Sequence, residues 1–110
     1  MKPTLPLMLA FALTLATPAF AKGSPARGLK IAKRNCAPCH AVGRAGASAN
    51  PKSPPFRTLA QRYPLGDLEE SLGEGIMVGH EGPEMPVFEF STEQIADLMA
   101  YLGAIQVKKR

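Results

Sequence analysis

The chain has 110 residues and a net charge of +4, from 13 Lys and Arg against 9 Asp and Glu, with two Cys, two His and no Trp. That length holds one small domain whose apolar core is marginal by itself, and with only two Cys and two His, His80 far from the others, the chain lacks the short ligand spacing of a structural zinc site. A positive balance this modest gives no reason to expect a nucleic-acid partner, and no internal repeat is visible.

The first residues read as an export signal. Met1 and Lys2 form a charged start, Leu5 to Ala16 is a largely apolar run, and Ala19-Phe20-Ala21 gives the small-x-small cleavage pattern. The apolar run falls short of the roughly 20 residues of a spanning helix, and Pro6 and Pro18 lie near its ends. Residues 1–21 are therefore expected to be a cleaved secretory signal peptide and residues 22–110 the mature domain. No Cys near Ala21 offers a lipid anchor. The expected location is a bacterial periplasm, with no stable membrane insertion after cleavage.

A first helix is predicted from Pro25 or Ala26 to Cys36, with Ser24 as N-cap and Pro25 at the favoured first position. Leu29, Ala32 and Cys36 share a face. Gly28 is costly inside a helix by about 1 kcal/mol relative to alanine, and such a glycine often permits close approach of another backbone.

Cys36-Ala37-Pro38-Cys39-His40 follows. The pattern C-x-x-C-H is the attachment signature of a c-type haem. Two thiols on one turn can add across the two vinyl groups of a single haem, and the adjacent His40 is then held as a proximal ligand to the iron. A bare C-x-x-C also serves thioredoxin-like redox pairs, but those belong to a strand-helix-strand pattern that this chain lacks. An oxidising compartment normally pairs its cysteines. Here both thiols have another use, so a Cys36–Cys39 disulfide would be a failed assembly state.

From Ala41 to Pro55 small and polar residues replace the apolar pattern and predict a loop. Arg57 to Tyr63 is predicted as a short helix carrying Leu59 inward. Asp67 to Leu72 is predicted as another, stopped by Gly73 and Gly75. Residues 75–90 hold three glycines and two prolines without a period and read as a second loop. The last helix is the clearest: Ser91 with Gln94 forms a capping box, and Ile95, Leu98, Met99, Leu102 and Ile105 or Gln106 trace an amphipathic stripe. No alternating run suggests a sheet. The predicted fold is all-α, roughly three to five short helices and long loops around one haem, which supplies the apolar body the small core lacks.

The other axial side of the iron has four candidates, Met77, Met85, Met99 and His80. Met99 lies on the stripe of the last helix and reads as core. Met85 is best placed, in an irregular loop and stiffened by Pro86. Met77 and His80 remain open as replacements.

Taken together, these features resemble a class I cytochrome c. The likeness runs from Gly28 to Leu102 and is carried by Gly28, Cys36 to His40, Pro54-Pro55-Phe56, Met85-Pro86 and Ile95 to Leu102. The resemblance implies a covalent haem c on Cys36 and Cys39, with His40 and Met85 as axial ligands. It implies too that the Pro54 carbonyl, with Pro55 as the alternative, accepts a hydrogen bond from the far nitrogen of His40. Gly28 would let the first helix cross the last near Tyr101. The absence of Trp is a departure, and 41–52 identifies no subfamily.

Two strong axial ligands keep the iron six-coordinate in both oxidation states, so little moves when an electron arrives. Soft thioether sulfur and an apolar pocket favour the ferrous form. The expected function is a soluble periplasmic one-electron carrier, not an enzyme, and monomeric. Nine Lys and Arg lie between Lys22 and Arg62, and every Asp and Glu lies between Asp67 and Asp97. A basic face of this kind would steer the protein onto a redox partner with an acidic docking surface. Arg57 or Arg62 is a candidate partner for the haem propionates. The rival functions are a haem-based ligand-binding or sensor protein with a displaceable sixth ligand, and a haem-free thiol oxidoreductase working through Cys36 and Cys39.

Overall fold

The computed structural model describes residues 2–4, 6, 12–14, 23–74 and 85–108. Met77 and His80 lie outside the described residues, as does most of the expected leader with its cleavage site. The described residues form α1 (Pro25–Asn35), a 3-10 helix (Phe56–Gln61), α2 (Leu65–Glu74) and α3 (Thr92–Ile105), with no strand among them. The fold is all-α.

Local chemistry sets the ends of α1 and α3. The Ser24 hydroxyl accepts from the Arg27 N–H at 3.2 Å, and Pro25 occupies the first turn, where a missing N–H costs nothing. At the other end the Cys36 N–H donates to Ala32 O at 2.9 Å and caps α1, which therefore closes one residue earlier than predicted. The α3 capping box is complete: Ser91 Oγ accepts from Gln94 N at 3.1 Å, and Gln94 Oε1 accepts from Ser91 N at 2.9 Å.

Two elements differ from their predicted form. The segment after Pro55 is a 3-10 helix of six residues, which starts one residue earlier than predicted and ends at Gln61, before Tyr63. Leu59 still points inward, 2% exposed. Helix α2 is longer at both ends and runs through Gly73. Leu68 and Leu72 bury against α3, and that packing outweighs the helix penalty of about 1 kcal/mol at a glycine.

The principal packing is α1 across α3, with α2 and the 3-10 helix adding to the same α3 scaffold. Closeness explains two glycines. A Cβ on Gly28 would lie 2.0 Å from Asp97 O and 2.7 Å from Tyr101 Cβ, and one on Gly23 would lie 1.9 Å from Ala96 O. Asp97 then pins the start of α1. Its carboxylate accepts from Ser24 N at 2.7 Å and from Arg27 Nε and Nη2 at 2.9 and 3.2 Å. The basic and acidic halves of the sequence are thus joined at this point. Ala32 and Leu102 are fully enclosed, and Leu98, Tyr101 and Ile105 complete the α3 side of the core.

Candidate functional site

The pentapeptide begins at the C-cap of α1 and turns back on itself: Cys39 N and His40 N both donate to Cys36 O, at 3.2 and 2.9 Å. This turn puts Cys36 in the core and Cys39 at the surface, with both thiols free. Burial pushes the Cys36 thiol up to about 11.

The 41–55 loop then folds back and holds the turn. Asn50 N donates to Cys39 O at 3.0 Å, Ala41 N to Ser48 Oγ at 2.9 Å, and Phe56 N to Ala41 O at 2.9 Å. The Tyr101 hydroxyl of α3 donates to Val42 O. His40 Nδ1 lies 2.8 Å from Pro54 O. Because a carbonyl oxygen can only accept, Nδ1 carries the proton and the ring's lone pair is on Nε2, the tautomer that binds a metal. The Pro55 carbonyl is engaged otherwise, accepting from Thr58 N and Thr58 Oγ1 at 3.1 and 3.0 Å. Phe56 packs on the imidazole with ring centroids 5.0 Å apart.

Beside His40 opens an apolar cleft, walled by Leu59, Leu68, Leu72, Leu98 and Leu102 from the helices and by Met85, Phe88 and Phe90 from the segment before α3. It continues outward past Cys39, where Arg34, Asn35, Asn50, Ser53 and Pro86 line it. Cys36, His40 and Met85 line both parts. The apolar walls are those a flat apolar macrocycle needs. The donor set is also right, with two thiols at one edge, an imidazole nitrogen and a thioether sulfur.

Not every candidate is here. Met99 sits on α3, packed against the core. Arg57 Nη1 donates to Gly46 O at 2.8 Å, and neither Arg57 nor Arg62 lines the cleft. Sequence reading missed Phe88 and Phe90, which wall the cleft with rings stacked 5.3 Å apart. Their i, i+2 spacing after Pro86 was the available signal. It also missed Ser48 and Asn50, whose hydrogen bonds exist only once the loop has closed on the turn.

The family model for cytochrome c matches residues 25–106 of this chain. A cytochrome c-552 of Bradyrhizobium diazoefficiens is similar to it, 34% identical over 79 residues that make up 72% of each chain. No solved structure matches. The chain belongs to the cytochrome c family, whose members carry a covalently bound c-type haem and act as haem-based electron carriers.

Proposed function

We propose that this member of the cytochrome c family is an exported periplasmic one-electron carrier. Cys36 and Cys39 anchor its haem, and His40 and Met85 are the axial ligands. The observation that carries the reading is the shared cleft: His40, oriented through Pro54 O, and the Met85 thioether line one apolar space. When bound, the haem supplies an iron that cycles between Fe(II) and Fe(III). The chain's own residues orient the imidazole, offer a soft sulfur and exclude water, and all three favour a positive couple and small structural change.

Residues 1–21 act as the secretory signal and are removed, leaving 22–110 in the periplasm. Arg34 at the outer cleft, with exposed Lys30, Lys33 and Lys52, gives the open edge a positive field that suits a partner with an acidic surface. No substrate of its own is assigned to the protein, and the plain expectation is a monomer. The thiol oxidoreductase reading is disfavoured by Cys36, because catalytic thiols are depressed in pKa and this one is raised by burial.

The test is spectroscopic. Protein made in a strain able to assemble c-type cytochromes should keep its haem through acid-acetone extraction and, when oxidised, show the weak far-red band of methionine-ligated ferric haem. Met85→Ala should abolish that band while the covalent haem remains. Persistence of the band assigns the ligand to another methionine, Met77 first. A band missing from the unmodified protein favours the ligand-binding or sensor alternative.

A further inference from the structure

One side chain at the end of α3 reaches across to the 3-10 helix. Gln106 Nε2 donates to Phe56 O at 2.6 Å and to Leu102 O at 2.9 Å, and its Oε1 accepts from Ala60 N at 2.8 Å. The amide nitrogen and oxygen are both engaged, in the one orientation that does not set oxygen against two carbonyls. Val107 N adds a bond to Arg57 O at 2.8 Å. A 3-10 helix is a short element with weak internal hydrogen bonds, so this one takes much of its position from residues 106 and 107.

Phe56 is where this tie meets the site. Its ring lies against the His40 imidazole, with centroids 5.0 Å apart and planes inclined by 45°. Its N–H donates to Ala41 O, beside His40, at 2.9 Å. Pro54, whose carbonyl accepts from His40 Nδ1 at 2.8 Å, stands two residues before it, and the intervening Pro55 has its φ locked. A displacement of Phe56 is therefore passed to His40 through the ring contact, through Ala41 and through Pro54.

We propose that Gln106 is a positioning residue for the redox centre: by holding the Phe56 carbonyl it fixes the plane of the His40 imidazole. This rests on His40 as the axial ligand, proposed above. The plane matters because it sets how the π orbitals of an axial imidazole overlap the iron d orbitals, and so how the unpaired spin of Fe(III) spreads into the ring. Groups that orient a ligand in this way act on a metal they never touch. A tie that served stability alone would leave the ring's orientation unchanged when cut.

Gln106→Met keeps the length of the side chain and removes its hydrogen bonds to Phe56, Leu102 and Ala60. Proton NMR of the oxidised holoprotein reads the paramagnetically shifted resonances of the His40 ring. Gln106→Met should displace them beyond the spread between preparations of the unmodified protein, and the Ala60 amide, which loses its acceptor, should exchange with solvent about tenfold faster. Gln106→Asn, whose amide stops one methylene short of Phe56 O, is the milder second variant and should displace the same resonances. Asp97→Asn loosens the start of α1 without touching the 3-10 helix and should leave them in place. His40 resonances that superimpose in the Gln106 variants and the unmodified protein overturn the proposal. An equal displacement in Asp97→Asn, the mark of general loosening, overturns it too. Failure of the axial assignment is a different result, seen before any variant is made as covalent haem with no His40 signal in the shifted region.

Discussion

Gly28→Ala tests the α1–α3 crossing because the two effects of the substitution have opposite signs. In a helix whose side faces open space, replacing glycine by alanine stabilises by up to about 1 kcal/mol. At Gly28 the new methyl would meet Asp97 O at 2.0 Å and Asp97 C and Tyr101 Cβ at 2.7 Å. Two of these atoms are backbone of α3 and cannot rotate aside. Restoring ordinary contact requires the helices to separate by roughly 1 Å, and a gap of that size forfeits a quarter to a half of the dispersion energy of each pair it opens. Overpacking of this kind costs about 1–3 kcal/mol or more, and the separation would also stretch the Ser24 and Arg27 hydrogen bonds to Asp97.

The net expectation for Gly28→Ala is a loss of about 2 kcal/mol, which in a domain this small lowers Tm by roughly 10 °C. Gly103, also helical, supplies the control: nothing lies within 4 Å of a Cβ built there. Gly103→Ala should gain a few tenths of a kcal/mol, up to about 1. The assay is guanidinium chloride unfolding of the two holoproteins followed by circular dichroism. A Gly28→Ala protein as stable as the unmodified one refutes the close crossing, whatever Gly103→Ala does.

Gln106 closes the far end of the molecule, Nε2 donating to Phe56 O and Leu102 O at 2.6 and 2.9 Å and Oε1 accepting from Ala60 N at 2.8 Å. Gln106→Ala should cost about 2 kcal/mol by the same unfolding assay, and Gln106→Glu at least as much, since a carboxylate would face two carbonyls at a helix C-terminus. A Glu variant of unmodified stability would show that these contacts carry nothing. Asp97 is held below the usual carboxylate range by its hydrogen bonds from Arg27 and then Ser24 N, so its contribution is complete above the unfolded value near pH 4 and is lost as acid titrates it further down. Asp97→Asn should therefore be less stable at neutral pH and flatter below about pH 4, the two curves converging in acid; parallel curves would exclude the pairing.

What could be read from the chain were features written in adjacent residues. Ser24 before Pro25 and Ser91 with Gln94 marked helix starts, and the spacing of Cys36, Cys39 and His40 carried its own chemistry. Gly28 could be marked as unusual, but not its partner, because Asp97 is about 70 residues away and an acid in an amphipathic helix looks like ordinary surface. The same holds for Gln106, which could be placed at the end of the last helix's stripe, but whose partners Phe56 and Ala60 appear only once the 3-10 helix is beside it. Glycine propensity stopped α2 too early, since burial of Leu68 and Leu72 decided its length. The wall of the cleft from Phe88 and Phe90 comes from a segment too short to announce a period.

The 41–55 loop shows why composition is a poor guide to rigidity here. It has no regular structure, yet three of its hydrogen bonds, from Asn50 N to Cys39 O, from Ala41 N to Ser48 Oγ and from His40 to Pro54 O, act on His40, the proposed proximal ligand, or on the residues next to it. Phe56 N adds a fourth, on Ala41 O. Shifting His40 would break several of these together, so the ring's position is over-determined rather than resting on one partner. A redox site gains from that arrangement, since a ligand fixed by many weak bonds has little room to relax when the metal's charge changes. The loop is small and polar because its backbone and hydroxyl groups, rather than its side-chain bulk, hold His40.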